Sequence, residues 1–355
     1  MNEKKKSPWS LLVDRLSFPT LIIAALFGLI LLIGHFMGLS VATLLSDTVK
    51  RSGMWGIMVL AMLPSIQSGT GPNFALPVGV ECGLFAITIA IELGFTGWSW
   101  FVASVLLGSA FAIVVGYFYG KLLNAVKGSE MAIATYTGFS ITAFMCILWL
   151  VLPFRSPNMG WFIGQGLRET IQLDVVGADG LLNGFLGFNI GDNFFFPTGM
   201  ILFFLLCCAV VWIFFRSKAG VAISAVGSSN SFAEASGLNI YRSRVLANVL
   251  STVLGAIGIV VYSQSYGYVQ LYNAPRNMAF AAVAAILIGG ASAARAKVFQ
   301  VILGVFLFQG LLTSAPPVAN KVFAGTDLSE TLRMIIQNGV ILYALTQVRK
   351  GGERQ

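Results

Sequence analysis

The sequence predicts an all-α polytopic membrane protein with about ten transmembrane helices. Of its 355 residues, 57% are hydrophobic and only 10% are charged, and the mean hydropathy is +0.83. Soluble domains carry about 25% charged residues, so a soluble enzyme of this length is excluded. Long charge-free windows, 39 glycines and 28 phenylalanines indicate apolar helices that pack closely in lipid.

Ten segments are predicted to cross the membrane, because a helix needs about 20 apolar residues to span the hydrocarbon core. Most of them coincide with charge-free windows. The third contains Glu81 and Glu92, and the last is interrupted by Arg333. The predicted spans are residues 18–39, 52–69, 74–94, 98–120, 130–152, 195–215, 244–264, 276–292, 298–314 and 329–348.

The distribution of Lys and Arg predicts that both termini are cytoplasmic, including the basic segment 1–17. In that topology 15 of the 22 basic residues lie inside, and the net charge of +8 indicates a basic membrane face and no nucleic-acid binding. Lys50 and Arg51 run against this bias, because they fall in the first outer loop. The chain is interpreted as one permease domain with two longer soluble segments, residues 153–194 outside and residues 216–243 inside.

The inner segment 216–243 predicts a short helix that protrudes from the membrane. Small residues dominate it, Ser231 is suited to cap a helical turn that contains Glu234, and Gly237 is suited to end it. Such a compact helix fits the groove of a partner protein. An ordinary loop with one helical turn is the alternative.

The run GVAISAVGSSNSFAEASGLNI, residues 220–240, resembles the coupling loop of bacterial ABC importer permeases of the ribose and simple-sugar group. Segments 68–80, 116–140 and 281–312 resemble further blocks of that family in the same order. The resemblance implies that the loop contacts ATPase subunits. The implied coupling residues are Ala225, Gly227, Ser228, Asn230, Ala233, Glu234, Ala235 and Gly237.

The resemblance also implies partners and a solute. It predicts a permease in the lipid of the bacterial inner membrane, paired with a second identical or different permease subunit. A solute-binding protein would deliver a small polar solute, for which a monosaccharide is expected. A nucleoside or an autoinducer-2-type furanose remains an alternative within the family.

ATP hydrolysis is expected in separate subunits that bind ATP and Mg²⁺, so this chain is predicted to be no enzyme and to hold no cofactor. The run from Gly116 to Lys121 superficially resembles a phosphate loop, but it lacks the four-residue spacer and the Ser or Thr after the lysine. Its glycines at positions 116 and 120 have the spacing of closely packed helices. His35 and the four cysteines show no metal-ligand spacing.

The predicted translocation pathway lies near an interruption of the second and third spans by Gly and Pro. Irregular backbone at membrane depth is tolerated where it is buried in protein or lines a cavity, although a simple loop between helices is equally compatible. Two other classes stay open: an ion- or proton-driven secondary carrier, and a membrane scaffold without transport. The candidate pathway residues are Gln67, Asn73, Phe74 and Glu81.

Overall fold

A computed structural model describes residues 18–126, 128–161, 166–191, 193–322, 331, 333–339 and 342. The helices are α1 (Phe18–Phe36), α2 (Val41–Leu60), α3 (Met62–Gln67), α4 (Leu76–Glu92), α5 (Gly97–Ala125), α6 (Glu130–Val151), α7 (Leu181–Gly184), α8 (Thr198–Arg216), α9 (Lys218–Ser228), α10 (Asn230–Ala235), α11 (Ile240–Tyr266), α12 (Ala274–Ile288) and α13 (Val298–Val322). The strands are β1 (Thr170–Gln172), β2 (Phe188–Ile190), β3 (Phe194–Phe196) and β4 (Tyr268–Gln270). The described residues between 331 and 342 are helical as well.

These helices overlap the first nine predicted spans, and most of the tenth falls outside the described residues. The second span was predicted wrongly at its start, because α2 begins at Val41 rather than at residue 52. Ser40 caps this helix by accepting a hydrogen bond from the Thr43 amide, at 3.3 Å. The charged residues Asp47, Lys50 and Arg51 suggested a loop, but they lie within the helix.

Six of the described helices are long and apolar enough to cross a membrane, namely α1, α5, α6, α8, α11 and α13. α4 and α12 are apolar but shorter, at 17 and 15 residues, and α2 carries the three charged residues near its start. The chain is therefore a polytopic helical membrane protein. The number of ten spans and the cytoplasmic position of both termini stay predictions.

Of the six long apolar helices, α11 and α13 are the most deeply buried. In the most apolar 18-residue stretch of α11, 67% of the residues are buried, and in that of α13, 61% are buried. The corresponding stretches of α1, α5, α6 and α8 are only 22–28% buried. The exposed residues of the outer helices are mostly large and apolar, such as Leu106 and Leu206. In a membrane these faces would meet lipid or another subunit.

Glycines allow α4 and α5 to approach α11 closely. A β-carbon on Gly79 would lie 2.3 Å from the Thr252 carbonyl oxygen of α11, so no larger residue fits there. Gly116 and Gly120 face the same helix, where a β-carbon would come within 3.0 Å of Thr252 and Val245, respectively. The interpretation of these two glycines as helix-packing residues is confirmed.

Helix α1 packs against residues near the other end of the described chain. The Thr20 hydroxyl donates a hydrogen bond to the Ile288 carbonyl at 2.7 Å. The Phe27 ring covers Gly310 of α13, where a β-carbon would lie 2.8 Å from the ring. α1 is thus attached to the last helices of the described chain.

Polar contacts between distant segments gather at the two ends of the helices. At one end β1 pairs antiparallel with β4, β2 pairs with β3, and the Glu92 carboxylate accepts hydrogen bonds from the Arg155 and Ser156 amides at 3.0–3.1 Å. At the other end Arg244 forms an ion pair with Glu130 at 3.5 Å. Each contact joins segments that the sequence predicted to lie on the same side of the membrane. The predicted outer segment 153–194 is folded onto the turn after α11.

Candidate coupling loop and translocation pathway

The predicted coupling loop contains two short helices, α9 and α10. Ser217 caps α9 through a hydrogen bond from the Gly220 amide, and Ser229 caps α10 through one from the Phe232 amide at 3.3 Å. The prediction of Ser231 as the cap was wrong, because this residue lies inside α10. Ser229 is the residue that has the extended backbone required of an N-cap.

Gly237 ends the protruding helix, as predicted. Its φ of +72° lies in the left-handed region, which favours glycine. The following amide of Leu238 donates to the Ala233 carbonyl at 3.0 Å, which closes the last turn. Asn239 then caps α11 by accepting a hydrogen bond from the Arg242 amide at 2.9 Å.

The predicted coupling residues divide into a group that packs against the rest of the protein and a group that is exposed. Ala233 is fully buried, and Ala225 and Gly227 are half-buried where α9 meets the helix bundle. The exposed members are Ser228, Asn230, Glu234, Ala235 and Gly237.

Sequence reasoning missed Phe232, whose side chain is 63% exposed on α10. The chain contains 28 phenylalanines, so the residue type alone did not distinguish Phe232 from those in the membrane-spanning helices. A correct helix start at Asn230 would have placed it about one turn before Ala235, on an exposed side of α10. An exposed aromatic residue on a short protruding helix is suited to anchor a partner.

The coupling loop contacts the interruption between the second and third spans. A β-carbon on Gly227 would lie 2.1 Å from the Gln67 carbonyl oxygen and 2.9 Å from the Gly69 amide nitrogen, so the two backbones touch. The Gln67 side chain donates a hydrogen bond to the Ala296 carbonyl, in the loop between α12 and α13. Residue 67 therefore joins the coupling loop to two other parts of the bundle.

A cavity of about 290 Å³ lies at the same end of the molecule. Gln67, Ser224, Ser228, Arg295 and Lys297 are among the residues that line it. The predicted pathway residue Gln67 thus lies at the coupling end, next to the predicted ATPase contact.

The interruption itself is a buried, irregular turn of residues 68–75. Gly69 and Gly71 have φ values of +77° and +80°, which end α3 and redirect the chain into α4. Asn73 stabilises the turn: its amide donates to the Ser251 hydroxyl at 2.8 Å, and its oxygen accepts from Tyr119 at 2.9 Å and from the Ala75 amide at 3.0 Å. Both polar atoms of the Asn73 side chain therefore form hydrogen bonds within the chain.

The other two predicted pathway residues lie in the core. Phe74 packs against Phe280, with ring centroids 5.7 Å apart. Glu81 is 2% exposed, and its buried carboxyl group lies beside Thr142, whose hydroxyl donates a hydrogen bond to the Gly138 carbonyl at 3.0 Å. Such a carboxyl group is costly at membrane depth, which keeps Glu81 a functional candidate. The pathway role of all four residues stays a prediction.

Residues 44–345 match the family model of the permease component of the branched-chain amino acid transport system. The chain belongs to this permease family. It is a multi-pass protein of the bacterial inner membrane, and the resemblance drawn from the coupling loop is confirmed.

Several characterised permeases are similar to this one. The nucleoside ABC transporter permease protein NupC of Lactococcus lactis subsp. cremoris is 26% identical over 193 residues, which is 53% of this chain and 60% of that protein. NupB of the same organism, also a nucleoside permease, is 25% identical over 71% of this chain and 70% of its own. The galactofuranose transporter permease protein YtfT of Escherichia coli is 24% identical over 76% and 86%.

Proposed function

We propose that this permease is the membrane-spanning subunit of an ATP-driven importer and that it passes a monosaccharide delivered by a solute-binding protein. The observation that carries the proposal is the contact of α9 with the turn at residues 67–69. Through this contact a force applied to the exposed helix α10 reaches the irregular segment between α3 and α4. ATP and Mg²⁺ are bound by partner ATPase subunits, whose movement the coupling loop transmits.

The surface of α10 supports an ATPase as the partner. Phe232 supplies an apolar anchor, Glu234 supplies a negative charge, and the small residues Ala235 and Gly237 allow close approach. A groove with an apolar pocket beside a basic residue fits this surface. A second permease subunit, identical or different, completes the pore.

The names of the relatives support the solute class. YtfT is a galactofuranose permease, and a xylose permease of Haemophilus influenzae is 24% identical over 77% of this chain. A nucleoside is the second candidate, because NupC and NupB are nucleoside permeases. An autoinducer-2-type furanose is the third member of the same chemical group, since a permease of that import system is 25% identical over 82% of this chain.

Uptake in proteoliposomes tests the proposal against a secondary carrier. The permease is reconstituted with its ATPase subunits and binding protein, and uptake of labelled ribose, galactose, uridine, galacturonate and ribose 5-phosphate is measured with ATP. The matched control carries an ATPase subunit without hydrolytic activity. We expect uptake that needs ATP hydrolysis and survives an uncoupler. Uptake by this chain alone, driven by an ion gradient, would contradict the importer function.

A further inference from the structure

A cavity of about 590 Å³ opens at the predicted outer end of α2, α11 and α13. A narrower extension of about 70 Å³ continues from it into the bundle. Arg51, Tyr266 and Arg333 line both the cavity and its extension. This outer cavity is distinct from the cavity beside the coupling loop, and it contains none of the four predicted pathway residues.

Positive charge dominates the wall of the outer cavity. Lys50 and Arg51 line it beside Arg333, and Asp47 supplies the one carboxylate among the described residues of the lining. Asp47 is exposed, whereas Arg51 is half-buried and also reaches the deeper extension. Among the described residues neither Lys50 nor Arg51 forms an ion pair. Both are among the seven basic residues on the predicted outer side, where the topology rule does not call for positive charge.

The part of α13 that lines the cavity leaves two backbone carbonyls without their usual helical donors. Pro316 and Pro317 lie inside α13, and they have no N–H groups to donate to the carbonyls of Leu312 and Thr313. All four residues line the outer cavity. Backbone groups without their helical partners are tolerated at membrane depth where they line a water-filled cavity or are buried in protein.

Aromatic rings form the third side of the site. The rings of Tyr262 and Tyr266 are stacked, with centroids 5.3 Å apart and planes at 17°, and Tyr268 lies 4.5 Å from Tyr266. Burial, followed by the effect of the Tyr266 hydroxyl, raises the pKa of Tyr268 to about 12, although Arg333 and Arg51 act in the opposite direction. The Tyr268 phenol is therefore neutral at physiological pH, and it offers Arg51 no negative charge.

The extension ends at an amide that has no partner. Gln309 is 2% exposed and lines the extension, and among the described residues no hydrogen bond to its side chain is formed. The Gln309 amide is therefore available to a polar ligand in the extension.

The geometry points to an anionic ring solute as the ligand of the outer cavity: a sugar or nucleoside that carries a carboxylate or phosphate group. The Arg51 guanidinium binds the anionic group, because its planar fork matches both oxyanions. The Tyr266 ring faces the solute ring, and Gln309 binds a hydroxyl or base edge. This inference rests on the proposed importer function and narrows its solute class.

Direct binding to the purified full-length permease in lipid nanodiscs tests the assignment. Two matched pairs of probes separate the anions from their neutral parents: galacturonate against galactose for the carboxylate, and ribose 5-phosphate against ribose for the phosphate. We expect one of the anions to bind at least tenfold more tightly than its parent. In Arg51→Gln this preference should fall about tenfold or more, as the loss of a charge-assisted hydrogen bond implies, and Arg51→Lys should recover part of it.

Arg276→Gln is the matched control. Arg276 is also predicted to be on the outer side, but it stacks on the Phe139 ring at 5.4 Å and does not line the cavity. The inference is overturned if neither anion binds at millimolar concentration, if the neutral parents bind equally well, or if Arg51→Gln leaves the preference unchanged. This assay contains no ATPase, so its failure leaves the test of ATP-driven uptake unaffected.

Discussion

The contact between Gly227 and the turn at residues 67–69 links the proposed coupling loop to the segment between α3 and α4. A single methyl group, introduced by Gly227→Ala, would disturb this contact. A β-carbon at position 227 would lie 2.1 Å from the Gln67 carbonyl oxygen, 2.8 Å from its carbon and 2.9 Å from the Gly69 nitrogen. Because non-bonded atoms are most stable near 3.5 Å, α9 must move by about 1 Å. All three obstructing atoms belong to the backbone, so no change of rotamer relieves the contact.

The cost of Gly227→Ala follows from this geometry. Overpacking of a close contact costs about 1–3 kcal/mol, which is a 5- to 150-fold shift away from the seated position of α9. Alanine also returns up to about 1 kcal/mol of helix propensity. Gly28→Ala in α1 is the matched control, because a β-carbon there meets nothing within 4 Å. The difference between the two variants therefore isolates the contact with residues 67–69.

Two measurements on the same variants test this prediction. Co-purification of the ATPase subunits should be unchanged in Gly227→Ala, because the exposed surface of α10 is untouched. Uptake should fall about fivefold or more, whereas Gly28→Ala should transport normally. If both variants take up solute at the wild-type rate, the contact of α9 with residues 67–69 does not transmit the movement of the ATPases.

Three further predictions concern other parts of the chain. Phe232→Ser should reduce co-purification of the ATPase subunits at least tenfold without lowering the Tm of the permease, since this side chain is exposed; unchanged co-purification would exclude it as an anchor. Asn73→Leu should lower stability by about 1–3 kcal/mol, measured by thermal unfolding in detergent, because it leaves the buried Tyr119 hydroxyl without its acceptor. Glu92→Gln should lower the Tm and increase proteolysis near Arg155, because a neutral amide oxygen accepts the backbone hydrogen bonds more weakly; equal protection in both proteins would argue against that role.

Helices that lie in continuous apolar stretches could be predicted from the sequence, and the second span shows where this method fails. A window free of charge finds α5 and α8, since their environment is uniformly apolar. Lys50 and Arg51 lie inside α2 and line a cavity. A count of charges along the sequence cannot show that these side chains face a cavity rather than lipid. The same limit explains why the outer cavity was not predicted: its walls come from segments more than 200 residues apart.

The local structure of the candidate coupling loop could be predicted only in part. The residues of the loop predicted a short helix that Gly237 ends, which its φ of +72° confirms, whereas the coupling role of the loop stays a prediction. They did not identify Ser229 as the cap of α10, because Ser228, Ser229 and Ser231 are equally good caps by residue type. The role of Asn73 was also beyond the sequence, since its partners Tyr119 and Ser251 are distant along the chain.

The attachment of α1 to Ile288 and Gly310 has a consequence for the order in which the protein is assembled. During synthesis α1 enters the membrane before the helices that follow it, yet its partners are translated some 270 residues later. Until then it must remain stable with lipid on every side. Its apolar segment Pro19–Phe36 has a mean hydropathy of 2.2 and contains no Asp, Glu, Lys or Arg. The helix is therefore stable in lipid before its partners are synthesised. Docking of α1 is consequently a late step, and a ribosome stalled before residue 288 would leave α1 accessible to crosslinking with lipid.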